Sequence, residues 1–404
     1  MTNPADRFIN KDTVVDLLSK LIEIHSPYFQ EEEIMNFVLN WLQERGLPAQ
    51  VEHYSEKKIL NYDGLNIIGR LKGKEEGPKI LLNGHLDTVG ICNGWTKDPL
   101  KATMEGDLIY GLGALDMKSG VCAIMLAVEA FVNTVKRFRG EILYTFVSDE
   151  EGPYGLGTDA LILDGVIRDM DMAIVTEPSS AFTGMSFPCL CLGARGGWNY
   201  TVEFTGKSAH AASPENGVNA IEDVAKVAME LKHIKLINDE KLDKGSVCII
   251  KVEGGGAACS VADKATLTVF RHVVRGEDRD SIMKEVQEAI GRAAIKCSAS
   301  INFREAPHAE NVGFEPYIVD ETNPYTIKLQ ESIALIMGNP GKISYFSSIG
   351  DFNYLSSRAN LPTFIFGPEG SNYHTADEYV SLESIVNTAK VLYDFLCRTL
   401  EIKP

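Results

Sequence analysis

The spacing of apolar residues predicts two helices at the start of the chain. One set of apolar residues recurs every three or four positions, as on the buried face of a helix. These residues are Val14, Leu17, Leu18, Leu21 and Ile22. The segment EEEIMNFVLNWLQER repeats the spacing, and Gly46 follows it as a helix-ending residue. We therefore predict two amphipathic helices ahead of the first strand.

Short apolar runs then alternate with helix-like segments. The runs NIIGRL, KILLNG, EILYTFVS and MDMAIVTEP have the length and composition of strands, and MKSGVCAIMLAVEAFVNTV has those of a long, apolar helix. Nearly all-apolar strands separated by helices are typical of a sheet that helices cover on both faces. The pattern predicts an α/β fold.

A different pattern follows CLGARGG. WNYTVEFTG alternates like a half-exposed strand, and a helix is predicted from about Asn219 to Leu231. Two strands, SVCIIKVEGG and KATLTVFRHVV, precede a helix at about 280–294. This β-α-β-β-α order predicts a small ferredoxin-like sheet with helices on one side. We therefore predict a two-domain α/β protein, with residues 1–194 and 311–404 as one domain and 195–310 as an inserted α+β domain.

Composition narrows the classes of function. The chain has 404 residues and a net charge of −17, so phosphate backbones and anionic lipids are poor partners for it. It contains no apolar run of membrane-spanning length and no recognisable secretory signal. The eight cysteines include no CxxC pair and are expected to be reduced thiols. These features predict a cytoplasmic protein that binds neither nucleic acid nor membranes.

Acids and histidines follow the predicted strands. They are His85 and Asp87 after KILLNG, Glu150 and Glu151 after EILYTFVS, Glu177 after MDMAIV, and His374 after TFIFGPEG. Asp116 lies in a glycine-rich loop before the long helix. Because ligands of open α/β sheets collect beyond the carboxyl ends of the strands, these side chains are expected to meet at one edge.

Each residue taken alone has an ordinary alternative role. Asp116 could cap its helix, His85 could be a hydrogen-bonded core histidine, and Glu177 could belong to a turn. The acidic triplet that ends with Glu150 and Glu151 could be a solvated turn. Their convergence on one edge favours a shared chemical role instead.

That role is the binding of divalent cations. Crowded carboxylates repel one another, and cations reverse this cost. Two imidazoles and three carboxylates suit two ions, most simply zinc, with cobalt or manganese as substitutes. Paired ions about 3.5–4 Å apart share and activate a water molecule. One of the adjacent glutamates could then bind metal while the other accepts the proton of that water.

At this point the chain resembles the M20-type metallopeptidase and deacylase family, which contains acetylornithine deacetylase, succinyl-diaminopimelate desuccinylase, aminoacylase and glutamate carboxypeptidase. The matching motifs are GHLDTV, GALDMKSG, SDEEGPYG, TEPS, GKSAHAASPENGVNAI and YHTADEYV. The metal ligands that the resemblance implies are His85 and Glu177 for one ion, Glu151 and His374 for the other, and Asp116 as a bridge. The inserted domain corresponds to the family's lid, through which members form homodimers.

The resemblance also implies roles for four further residues. Glu150 resembles the general base, and Asp87 the carboxylate that orients a ligating histidine. His210 in the lid resembles a histidine that stabilises the oxyanion, and Arg271 an arginine that binds a substrate carboxylate. The sequence departs from the family pattern at Ser260, Ala262, Phe270 and Leu112, which leaves the specificity open.

Members with Glu at the position of Glu177 tend to be deacylases. The predicted function is therefore hydrolysis of an N-acyl amino acid or related amine by a metal-bridging water, with Glu150 as base. A dipeptidase or carboxypeptidase using the same site is the nearest alternative. A metal-dependent binding protein without catalysis is another, and a thiol nucleophile at Cys259 is a third.

Overall fold

The computed structural model describes residues 4–402, which form two compact units. One unit contains the described residues up to Ala194 and those from Ile318 onward, and the other is Arg195–Tyr317. The inserted unit was predicted to end at residue 310. It runs further because Phe314 pairs with Gly197 at the start of its first strand, through two backbone hydrogen bonds of 2.8 and 2.9 Å.

The strands occupy much of the sequence that the apolar runs predict. Before the inserted unit they are β1 (Gln50–Glu56), β2 (Tyr62–Lys72), β3 (Glu75–His85), β4 (Thr103–Glu105), β5 (Leu108–Tyr110), β6 (Arg139–Val147), β7 (Met172–Val175) and β8 (Cys189–Ala194). The next are β9 (Gly196–Thr205), β10 (Asn238–Asp239), β11 (Asp243–Lys244), β12 (Ser246–Gly255), β13 (Lys264–Val273) and β14 (Ser298–Phe303). The last are β15 (Tyr317–Ile318), β16 (Lys342–Phe346), β17 (Thr363–Ile365), β18 (Gly370–Ser371) and β19 (Tyr379–Ser381).

The helices alternate with these strands. They are α1 (Lys11–Glu23), α2 (Glu32–Glu44), α3 (Ser119–Thr134), α4 (Leu156–Leu163), α5 (Ser179–Thr183), α6 (Ala220–Leu231), α7 (Arg279–Ala293), α8 (Pro324–Met337), α9 (Asp351–Ser357) and α10 (Leu382–Leu400). The side chain of Asn10 caps α1, and Gly46 adopts φ +71° just beyond α2. No helix between residues 4 and 402 combines the length and apolarity needed to cross a membrane.

A nine-stranded sheet forms the core of the larger unit. Its order is β1-β2-β6-β3-β7-β17-β8-β15, with β16 also paired to β8. Three neighbouring pairs at the centre of the sheet are parallel, namely β6 with β3, β3 with β7, and β7 with β17. The largely buried α3 packs beside the sheet, so the α/β fold class predicted from the apolar pattern is confirmed. The carboxyl ends of the parallel strands lie side by side at the same end of the sheet.

The inserted unit is an antiparallel sheet with the order β12-β13-β9-β14. Its apolar face packs against α6 and α7 around residues such as Val202, Leu267 and Val286. The strand β14 was not predicted, because SASINF presents only alternate, half-exposed apolar side chains. Its addition completes a β-α-β-β-α-β order, with β12 and β14 as the two edges.

Candidate metal centre

The strand register brings the predicted polar residues to the end of the large sheet at which its parallel strands finish. His85 is the last residue of β3 and pairs with Val147, the last residue of β6. Val175, which ends β7, pairs with Ile365 at the end of β17. The segments that leave these strands carry the acids, so folding of the sheet itself gathers them.

One group of ligand-type atoms surrounds Nε2 of His85. This atom lies 3.4 Å from Oδ1 of Asp116 and 3.3 Å from Oε1 of Glu177. All three residues are buried, and Nε2 has no hydrogen-bond partner within the described part of the chain. Nδ1 of the same ring lies 3.0 Å from the carbonyl oxygen of Asp87. A proton on Nδ1 would donate to that carbonyl, leaving the lone pair of Nε2 for a cation.

A second group shares Asp116 with the first. Nε2 of His374 lies 2.8 Å from Oε1 of Glu151 and 3.5 Å from Oδ2 of Asp116. The two oxygens of Asp116 therefore face the two histidines separately. The ligand-type atoms within each group all lie within 4.8 Å of one another. Asp116 does not cap α3, since the N-cap residue of that helix is Lys118.

Glu150 lies beside the first group without belonging to either group found among residues 4–402. Its Oε2 is 3.8 Å from Nε2 of His85, and its Oε1 accepts a 3.2 Å hydrogen bond from the backbone N–H of Asp351. The adjacent glutamates thus point differently, one toward His374 and the other toward the edge of the cluster.

Burial and neighbouring charges shift the pKa values of these side chains. Burial is the main cause that raises the pKa of Glu150 well above its ordinary range, and burial and then Asp116 raise the pKa of Glu177 to about 8. Burial would lower the pKa of His374, but hydrogen bonds with Asp116 and Glu151 raise it to about 11. The raised pKa values favour protonation of these side chains, and the protons offset negative charge in the cluster as a bound cation would.

The donor set fits divalent cations. Two imidazoles and three carboxylates, with one carboxylate facing both groups, match the ligands of zinc and related ions. Nε2 of His85 adds to this fit, because this buried atom has no hydrogen-bond partner among the described residues and faces carboxylate oxygens at 3.3 and 3.4 Å.

The turn that carries both glutamates is held through its backbone. The N–H groups of Glu150 and Glu151 donate to the two oxygens of Asp87 at 3.2 and 2.8 Å. The N–H of Asp149 donates to Oε1 of Glu31 at 3.0 Å. Asp87 thus contacts Nδ1 of His85 through its carbonyl oxygen and, at 3.5 Å, through Oδ1, while its two carboxylate oxygens accept the hydrogen bonds of the turn. Sequence reasoning missed Glu31, because nothing in the run EEE distinguishes it from its two neighbours.

The two predicted lid residues lie in the other unit. His210 is exposed, and its Nδ1 accepts a 3.1 Å hydrogen bond from the N–H of Ala212. Arg271 is fully buried and pairs with Glu277 and Glu285. Two of the chain's own carboxylates neutralise this guanidinium, which disfavours the predicted binding of a substrate carboxylate by Arg271.

Known proteins resemble this chain along most of its length. The family model described as Peptidase family M20/M25/M40 matches residues 81–398, which include all five side chains of the two groups. A succinyl-diaminopimelate desuccinylase of Wolinella succinogenes is 27% identical over 390 residues, covering 96% of this chain and 100% of the relative.

Solved structures share the fold. A tripeptidase from Staphylococcus aureus subsp. aureus Mu50 has a TM-score of 0.76 at 21% identity, covering 97% of this chain and 99% of that one. The Bacillus subtilis protein YXEP, described as a dinuclear metal binding peptidase, has a TM-score of 0.67 at 15% identity, covering 96% of this chain and 98% of that one.

Proposed function

Because the chain belongs to peptidase family M20/M25/M40, whose members named above include a desuccinylase and peptidases, we propose that it removes the acyl group from an N-acyl amino acid or related amine. The chain is a hydrolase of amide bonds on the strength of that membership. The observation that carries the proposal is Asp116 shared between two histidine–carboxylate groups, with Glu150 beside them but in neither group.

Five side chains would hold two divalent ions. The assigned ligands are His85 and Glu177 for one ion, Glu151 and His374 for the other, and Asp116 for both. Zinc suits the donors best, with cobalt or manganese as substitutes. When bound, the ions supply Lewis acidity toward the substrate carbonyl and lower the pKa of water.

Glu150 is assigned the proton transfers. Its Oε2 faces the cluster, while the N–H of Asp351 fixes Oε1. The carboxylate accepts a proton from the attacking water and later donates it to the leaving amine. Burial favours its protonated form, which suits the second of these steps. His210 is proposed to stabilise the oxyanion.

A substrate panel tests the proposal. We expect zinc-loaded protein to hydrolyse N-succinyl or N-acetyl amino acids faster than dipeptides and tripeptides, measured by release of the free amine. Hydrolysis of peptides alone would replace the deacylase assignment with a peptidase one, which the tripeptidase fold neighbour favours. Two bound ions without hydrolysis of any amide would favour a binding protein.

We also propose that the inserted unit forms a homodimer through β12. This strand is an edge of its sheet among the described residues, and it exposes Ile250 and Val252 by 51% and 55%. Open edges with apolar side chains favour pairing with another strand. The neighbouring helix α6 adds exposed Ile221 and Met229. A second copy of the chain could cover these side chains through a two-fold axis.

Replacing Val252 with Lys is expected to convert the dimer to a monomer, because a charge on an edge strand opposes pairing. Light scattering coupled to size exclusion should show a fall from twice the 44.4 kDa chain mass to that mass. Leu335→Lys is the matched control, since Leu335 is 60% exposed on α8 in the other unit. A wild-type protein of single-chain mass, or a dimeric V252K, would contradict the proposal.

A further inference from the structure

Glu378 binds the loop that carries Asp116. This glutamate is almost fully buried, and its carboxylate accepts three backbone hydrogen bonds. The donors are the N–H groups of Gly113 at 2.8 Å, Leu115 at 2.8 Å and Asp116 at 3.0 Å. The backbone carbonyl of Glu378 accepts a fourth hydrogen bond from Gly111 at 3.1 Å. One residue thus accepts hydrogen bonds from four backbone N–H groups between Gly111 and Asp116.

The loop has few alternative acceptors of its own. The N–H of Ala114 donates to Gly111, and that of Lys118 to the carbonyl of Gly113. The backbone at Asp116 is non-helical, with φ −115° and ψ 97°, so a regular helical ladder does not satisfy these groups. Without the carboxylate, three buried N–H groups would lack a partner, which is costly.

Glu378 also lies close to another proposed ligand along the chain. It follows His374 by four residues and immediately precedes β19, whose Tyr379 pairs with Tyr110 of β5. The segment between them therefore connects His374 to the loop of Asp116. His374 and Asp116 both belong to the second group of ligand-type atoms.

We propose that Glu378 is a positioning residue, which fixes the backbone of Asp116 and so assembles the shared metal ligand. This inference rests on the proposed metal site. Partners that orient metal ligands commonly change metal affinity by about 10- to 100-fold when they are removed. Glu378 acts here through the backbone, and it belongs to neither group of ligand-type atoms found among residues 4–402.

Glu378→Gln is the test variant, because glutamine preserves the shape but replaces one acceptor oxygen with an N–H₂ donor. Calorimetric titration of metal-free protein with zinc should show at least one ion bound about 10- to 100-fold more weakly than in the wild type. Glu378→Asp keeps the charge but shortens the side chain. Its zinc affinity is expected to lie between those of the wild type and E378Q.

Glu56 offers a matched control with the same chemistry. Its carboxylate also accepts hydrogen bonds from three backbone N–H groups, those of Lys58, Ile59 and Leu60, at 2.6–3.1 Å. It lies on β1, at the edge of the large sheet and separated from β3 by β2 and β6. Glu56→Gln is expected to lower thermal stability without altering zinc affinity. A purely structural role for Glu378 would give the same result in E378Q.

The outcomes separate the inference from the function it rests on. A wild-type protein that binds no zinc overturns the metal site, whereas unchanged affinity in E378Q overturns only the positioning role. Hydrogen exchange in the metal-free wild type covers the case in which E378Q fails to fold. The amides of Leu115 and Asp116 should exchange slowly before any metal is added, and rapid exchange there would also overturn the inference.

Discussion

Glu150→Gln is expected to reduce turnover by about 10²- to 10⁴-fold, the usual contribution of a general base, while zinc affinity stays within a few-fold of wild type. Glutamine keeps the shape of the side chain and an oxygen to accept the 3.2 Å hydrogen bond from Asp351. It cannot take a proton from water at neutral pH. Amide hydrolysis and zinc titration of the same preparation check both halves of this expectation.

The neighbouring Glu151 supplies the contrast. Its Oε1 lies 2.8 Å from Nε2 of His374, inside the second group, so Glu151→Gln should weaken zinc binding as well as turnover. The same substitution at adjacent glutamates is thus expected to lower turnover alone at Glu150, but both turnover and zinc affinity at Glu151. Wild-type turnover in E150Q with zinc bound would remove Glu150 from the mechanism.

Removal of divalent ions is expected to lower the melting temperature, and return of zinc to restore it. An ion that binds only the folded state at 100 times its Kd stabilises that state by about 2.7 kcal/mol. Asp116→Asn should abolish most of this response, because Asp116 faces both histidines. Asp63→Asn, which alters an exposed carboxylate paired with Lys57, should retain it. Thermal unfolding with chelator or zinc measures the shifts.

The rise in melting temperature caused by zinc should be larger at pH 8 than at pH 6. In the metal-free folded protein Glu177 keeps its proton up to about pH 8, whereas the unfolded chain releases it near the ordinary value of 4.5. The raised pKa of His374, about 11, likewise gives stability that is full below 6.5 and declines as pH rises. Metal-free stability therefore falls with pH over this range. Zinc competes with fewer protons at pH 8, so its binding restores more of the folding stability there.

An equal or smaller zinc response at pH 8 would show that protons do not occupy the places assigned to the ions. A zinc response in D116N as large as that of the wild type would move the site away from Asp116. Both outcomes concern folding stability, and neither depends on knowing the substrate.

Much of the fold and the gathering of the site followed from local sequence patterns. Apolar runs marked the parallel strands, and His85 and Glu177 stood where those strands end, so sheet geometry alone placed them together. The nearby acids Glu31 and Glu378 could not be found this way. Each lies next to another acid, and the hydrogen bonds that tie it to the site come from backbone groups far along the chain, which no residue pattern reports.

Arg271 shows another limit of the sequence. The resemblance suggested that it binds a substrate carboxylate, and the sequence gives no sign of how deeply the side chain is buried. The structure buries it because α7 and the turn before it bring Glu285 and Glu277 to its guanidinium. Such a pairing depends on tertiary packing, since the sequence shows only that acids are available nearby.

Anomalous diffraction from crystals grown with zinc tests the central claim most directly. The account predicts two peaks, one about 2.0–2.2 Å from ligand atoms of His85 and Glu177 and one equally close to Glu151 and His374, both within reach of Asp116. A single peak, or peaks bound elsewhere on the molecule, would contradict it.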